Sequence, residues 1–160
     1  MVLSDLVSLA QTLFPYLFER YGFKLVHSRE GSKTQYRRYE VGVQSSMRIA
    51  FLYEDPSVAA VVLGTKQDDF DKVGEWVDAR RLLDYIQKGP LRWKPPHEAG
   101  VDYVRASFST LAMELEPSMP KVLEMFRSAE NVADWRSGFD DYVSAEIARQ
   151  YGLQKHNSSQ

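Results

Sequence analysis

The chain has 160 residues, 44% hydrophobic and 26% charged, which fits one soluble domain able to bury about two-thirds of the surface its unfolded form exposes. A formal charge of −2 and a pI near 5.9 give no global attraction to nucleic acid or acidic membranes, so either would need a local patch. Cysteine is absent, which excludes disulfides, thiolate catalysis and cysteine-ligated zinc and suits a reducing compartment.

The first stretch, MVLSDLVSLAQTLF, is apolar but lacks a basic leader and carries Asp5, so it reads as an amphipathic helix of the mature protein rather than a signal peptide. Ser4 is the expected N-cap. Leu6, Leu9, Ala10, Leu13, Leu17 and Tyr21 follow at spacings of three and four, the period of one buried helical face. Pro15 interrupts that pattern, implying either a kink or two short helices, the second using Pro15 near its first turn. Gly22 stops it. No stretch approaches the roughly 18 uninterrupted apolar residues of a membrane span, so no membrane association is expected and the expected location is cytoplasmic.

From Phe23 the period becomes two. Phe23, Leu25 and His27 alternate with Lys24, Val26 and Ser28, and Glu30 to Lys33 form a turn. A second strand, from about Thr34 to Gln44, places Tyr39, Val41 and Val43 on one face, and Ser45-Ser46 turn it back. In the third, Met47, Ile49, Phe51 and Tyr53 alternate with Arg48, Ala50 and Leu52, and a turn through Pro56 follows. The fourth, Val58 to Leu63, is apolar on both faces and must be covered on both, by helices or by another subunit.

Trp76, Ala79, Leu82, Leu83 and Ile86 predict a helix from Glu75 that ends at Gly89-Pro90. The proline- and glycine-rich GPLRWKPPHEAG is an internal boundary between two halves of one domain. Beyond it Val101, Val104, Phe108, Leu111 and Leu115 mark a helix that Pro117 and Pro120 are expected to close before the next opens. Val122, Leu123 and Phe126 predict a short helix, and Val132, Trp135, Phe139, Tyr142, Val143 and Ile147 a last one ending near Gly152. The domain reading is a single unit over 1–153, with a meander half at about 1–89, a helical half at about 97–151 and a disordered tail at 154–160.

The most suggestive stretch for function is Tyr36-Arg37-Arg38-Tyr39. Strand alternation puts Tyr36 and Arg38 on one face and Arg37 and Tyr39 on the other, so the tyrosines cannot form one stacking platform. With Tyr39 inward, Tyr36, Arg38 and Arg48 would form an outer patch, with Arg37 near the strand's entry, able to bind a carboxylate, a phosphate or an acidic protein surface through bidentate arginine contacts. The alternative is that Arg38 pairs with Glu40 or a neighbouring strand's charge and completes a solvated face. A binding role predicts that Arg38→Glu weakens partner binding and leaves thermal stability nearly unchanged. Nucleic acid is not the expected partner, because the patch lacks a ribonucleoprotein-type aromatic motif and a basic excess.

Other chemistry is sparse. Counting a calcium loop from Asp69 puts Val73 and Arg80 where ligands are needed, so the acidic stretch is assigned to the dipole of the following helix and no metal or cofactor is expected. His27, His97 and His156 stand on separate elements without partners at ligand spacing, and no nucleophile elbow or phosphate loop occurs. His97 and Glu98, with Tyr103, remain the acid/base or pocket candidates; the competing reading makes His97-Glu98 a helix start.

A helix ending in Tyr21-Gly22-Phe23, a charged meander and a helix carrying Leu82-Leu83 together resemble a broad group of small bacterial α+β proteins, some of them immunity-protein-like. The resemblance covers roughly the first ninety residues and implies a layout without carrying over functional residues. The expected fold is α+β: an antiparallel four-stranded β-meander flanked by helices, with a helical C-terminal part. The expected function is a non-enzymatic protein-binding module, immunity- or adaptor-like. The alternative is a small-molecule-binding protein or enzyme with a pocket between the sheet and the C-terminal helices. The two-sided apolar fourth strand and aromatic last helix also predict a homodimer.

Overall fold

The computed structural model describes residues 1–31, 36–43, 46–54, 58–68, 72, 75–92 and 101–158. The expected turns through Lys33, Ser45 and Pro56, most of the acidic stretch, and His97 and Glu98 within the proline-rich boundary lie outside these residues. The fold is α+β, in chain order α1 (Leu3–Leu13), α2 (Pro15–Glu19), β1 (Lys24–Glu30), β2 (Tyr36–Gly42), β3 (Met47–Glu54), β4 (Val58–Thr65), β5 (Val77–Asp78), α3 (Ala79–Ile86), α4 (Val101–Met125) and α5 (Ala129–Ser158). The five strands lie in sequence order, each antiparallel to the next.

The N-cap of the first helix lies two residues before the expected Ser4. Val2 is its N-cap residue, and the Asp5 carboxylate reaches back to accept the Val2 N–H at 3.1 Å, satisfying an amide that the helix start leaves without a partner. Pro15 opens α2 at its first position, where its missing N–H costs nothing. Gly22 takes φ +72°, the left-handed region that ends helices, and the Phe23 N–H then reaches back to the Leu17 carbonyl at 2.9 Å.

The sheet has five strands rather than the expected four, and the helix expected from Glu75 starts at Ala79. Val77 and Asp78 pair with Leu63 and Val62, and the Asp78 carboxylate accepts the Arg81 N–H at 3.0 Å, capping α3. Burial raises the Asp78 carboxyl and its bond to Arg81 opposes that shift. Trp76, immediately before β5, therefore leaves the helical stripe its spacing suggested and packs in a cluster on the other side of the sheet, while Val77 joins the main core.

The prolines expected to divide the C-terminal part lie inside one helix, α4. The carbonyls they deprive of an amide belong to Met113 and Glu116, both exposed residues, while Leu115, Met119 and Val122 stay buried. Nearby, the Tyr16 hydroxyl donates to the Ala112 carbonyl at 2.7 Å. Burial raises the Tyr16 pKa, so the group stays a donor. Met125 and Phe126, at the end of α4, have their carbonyls capped by the Trp135 indole N–H at 2.8 Å and the Ser46 hydroxyl at 2.7 Å. The last helix passes Gly152 and reaches Ser158; an interior glycine costs about 1 kcal/mol relative to alanine but does not by itself end a helix.

One sheet face, carrying Tyr39, Val41, Met47, Ile49, Phe51, Val61 and Leu63, meets the helices in the main core. Helix α1 packs on β2 and β3, α3 on β4, α4 against α1 and α3, and α5 outside them on α3 and α4. Phe14, Phe51 and Phe108 interlock with centroids 5.1, 6.0 and 6.2 Å apart, filling the space between sheet and α4 with ring edges and faces. Among the described residues no helix is long and apolar enough to cross a membrane.

Tyr16→Phe removes a buried donor and leaves the Ala112 carbonyl to its helical partner alone. The expected loss is about 1–3 kcal/mol, read as a lower urea midpoint with an unchanged slope.

Candidate functional site

The second face of the sheet has rows fixed by the strand register. One runs Arg29, Arg38, Leu52, Ala60; the next His27, Glu40, Ala50, Val62, Asp78; the third Lys24, Gly42, Arg48, Gly64. Ala50, Leu52, Val62 and Trp76 form a small apolar cluster there, with Ala60 packed against it. This cluster covers the second apolar side of β4 within one chain, one of the two surfaces, with the aromatic last helix, on which the homodimer expectation rests.

Arg38 is the largest fully buried side chain, at 0% exposure. Its guanidinium lies 4.6 Å from the centroid of the Trp76 ring and 3.8 Å from the Glu40 carboxylate. A desolvated guanidinium over an indole gains from the negative face of the ring, and the carboxylate adds an opposite charge. Burial pushes the Glu40 carboxyl up, while Arg38, His27 and Arg48 pull it back towards ionisation. Two glycines make this arrangement possible. A Cβ on Gly64 would stand 2.8 Å from the Trp76 ring, and one on Gly42 would stand 2.7 Å from Arg48 Cδ and Nη1, so each large side chain lies flat across a strand only because its seat lacks a side chain.

The four residues of the expected binding patch are dispersed. Arg38 lies inside, paired with Glu40 in a closed face rather than a solvated one. Arg37 points to the helix-covered face and pairs with Glu30 at 2.8 Å. Arg48 is half-buried, its Nη1 donating to the carbonyls of Met47 at 2.9 Å and Val43 at 3.1 Å. Only the backbone of Tyr36 is described, pairing with Glu54. Of the pocket candidates, Tyr103 is 36% exposed on α4, while His97 and Glu98 are outside the described residues. Among the described residues no group of three histidines or carboxylates is placed to hold a metal. Asp68, at the start of the acidic stretch, accepts the Thr65 N–H at 2.5 Å and its hydroxyl at 3.2 Å.

A feature that alternation alone does not reveal is the state of β1. All seven of its residues are exposed, with Leu25 at 62% and Val26 at 48%, and its ladder partner is β2 on one side. The register skips Val26: Leu25 pairs with Val41, then His27 with Glu40. The bulge puts Lys24 on the same face as His27 and Arg29, which a regular strand would not do. The sequence trace of this is the adjacent apolar pair Leu25-Val26, which breaks the period of two.

A second charged cluster joins the two halves of the chain. Asp84, 1% exposed on α3, accepts the Arg92 Nε at 2.9 Å and the Arg92 backbone N–H at 3.0 Å. Arg92 also reaches Glu114 at 2.9 Å, and Arg80 pairs with the same carboxylate. Tyr142 donates to the Gly89 carbonyl at 2.5 Å and Gln150 to that of Leu91 at 3.2 Å. These groups tie the segment after α3 to α4 and α5. Comparison with protein-family models, curated proteins and solved structures found no match to this chain.

Two outcomes follow from the charge placement. Arg38→Glu puts two carboxylates beside each other in a closed face and should destabilise by about 3–5 kcal/mol, in place of the near-unchanged stability a solvated patch would give; urea unfolding measures it. Glu114 is raised by burial but lowered more by its bonds to Arg80 and Arg92, and its carboxyl ends below the ordinary 4.5. Its ionisation therefore favours folding above that pH and the contribution disappears as pH falls through the lower folded-state value. Glu114→Gln should lower Tm at neutral pH and flatten the decline in Tm on acidification.

Proposed function

We propose that the chain is a non-enzymatic protein-binding module whose binding element is the open edge of the sheet, β1. The observation that carries this reading is a seven-residue strand with every side chain exposed and two adjacent apolar residues among them. A strand that buries none of its side chains is held by its ladder, and natural sheets usually shorten or cover such an edge. A partner chain laid along β1 would cover Leu25 and Val26 and continue the ladder. An adaptor- or immunity-like role in the cytoplasm accords with that edge and with the interior of Phe14, Phe51 and Phe108 packed between sheet and α4. The binding surface is thus displaced from Arg38 and Arg48 to the neighbouring strand.

The test is a pull-down from host lysate with wild-type protein and a Leu25→Ser, Val26→Ser double variant, which leaves charge unchanged. Both positions are exposed, so the variant should keep its stability within about 1 kcal/mol. A partner held by the wild type and lost by this folded variant is the expected result. Equal retention by both would remove β1 from the binding element.

A further inference from the structure

Helices α1 and α4 leave an open cleft of about 250 Å³ between them, lined by Asp5, Ser8, Leu9 and Thr12 of α1 and by Arg105 of α4. The four α1 residues recur at spacings of three and four, so they share one stripe of that helix. Leu9, 4% exposed, is the apolar member of the lining. The walls are set by packing: α1 lies on α4, and the Tyr16 hydroxyl of α2 donates to the Ala112 carbonyl of α4 at 2.7 Å.

Asp5 and Arg105 bring opposite charges to this one space without forming an ion pair with each other. Asp5 accepts the Val2 N–H through Oδ2, which leaves Oδ1 for another donor. Among the described residues the Arg105 guanidinium and the Ser8 and Thr12 hydroxyls have no hydrogen-bond or ion-pair partner. An exposed arginine alone is ordinary surface. Here its planar fork of five N–H donors, which matches a carboxylate, shares a cleft with a carboxylate and two hydroxyls.

A simple anion would be drawn to Arg105 but opposed by Asp5, and a simple cation would meet the reverse. A molecule carrying both signs satisfies both groups. We infer that the cleft binds a small zwitterion of the α-amino acid class, with its carboxylate on Arg105 and the Ser8 and Thr12 hydroxyls and its ammonium on Asp5. The space is smaller than the roughly 300–1,000 Å³ of pockets for drug-sized ligands, so the ligand's own side chain is short, and Leu9 gives it an apolar contact. Charge-assisted hydrogen bonds orient the two ends of the ligand. No residue of the sheet lines the cleft, so this binding is independent of the role of β1.

The probe is L-alanine, titrated into the ¹⁵N-labelled full chain at neutral pH up to about 20 mM. N-acetyl-L-alanine, which lacks the ammonium, and L-alaninamide, which lacks the carboxylate, are the controls. The expected result is saturable amide shift changes centred on Asp5, Ser8, Leu9, Thr12 and Arg105 with a Kd of about 1 mM, and binding at least about tenfold weaker for either control. Arg105→Gln should weaken L-alanine binding by a similar factor and leave Tm unchanged, and so should Asp5→Asn, which keeps an oxygen for the Val2 N–H.

Absence of shifts at the cleft with L-alanine would overturn the inference. Equal binding of N-acetyl-L-alanine would overturn it in favour of a plain anion site on Arg105, and equal binding of L-alaninamide in favour of a cation site on Asp5. L-alanine binding that persists in the folded Asp5→Asn, Arg105→Gln double variant would place the ligand elsewhere and overturn it too.

Discussion

Trp76 lies over Arg38 with Gly64 as its seat, and the rest of the molecule is arranged around that stack. Helices cover one face of the sheet, so the other needs a different closure, and a buried guanidinium would be expensive without compensation. The indole face and the Glu40 carboxylate provide it. Because Trp76 must cross to that face, Val77 turns inward beside Leu63 and Asp78 becomes the cap of α3. Helix α3 then carries Arg80 and Asp84 to Glu114 and Arg92, fixing the helical half to the sheet. A single ring placement thus couples the second face, the edge strand β5 and the junction of the two halves.

The same closure covers only part of the second face. Trp76 covers the part of the face made by β2, β3 and β4, where Ala50, Leu52 and Val62 are buried, and stops short of β1. Charges on the covered strands serve the fold: Arg38 faces Trp76 and Glu40, and Arg48 binds backbone carbonyls over Gly42. Charges on β1 remain at the surface. A shift of one strand across the sheet separates a side chain that is fully buried, Arg38, from one that is exposed, Arg29.

Most of the architecture was legible because it rests on local rules. Pro15 and Gly22 divide the N-terminal helices through their backbone preferences, and alternation in β2 and β3 assigns the core face correctly. The apolar character of β4 on both sides correctly demanded two covers, but could not say that the second would be one tryptophan. Trp76 stands at helical spacing from Ala79 and Leu83, so periodicity gave no reason to place it outside the helix; the pairing of Val77 and Asp78 with β4 decided the matter. Alternation assigns Arg38 to the right face, and Glu40 is one of the partners that the alternative reading offers it. Its burial depends on a side chain 38 positions away in sequence, which no local pattern encodes. Pro117 and Pro120 carried a true local signal that packing overrode, since the buried stripe continues past them and the carbonyls they deprive of an amide belong to exposed residues.

The most direct measurement of this account is a double-mutant cycle between Gly64 and Trp76, read by urea unfolding. If the ring is seated on the glycine, Gly64→Ala should destabilise the wild type by about 1–3 kcal/mol through overpacking. In a Trp76→Ala background the same change should have a clearly smaller effect, leaving only the contact of the new methyl with Asp68. An equal loss in both backgrounds would mean that Trp76 does not lie on Gly64, and the closed second face with its open β1 edge would fall with it.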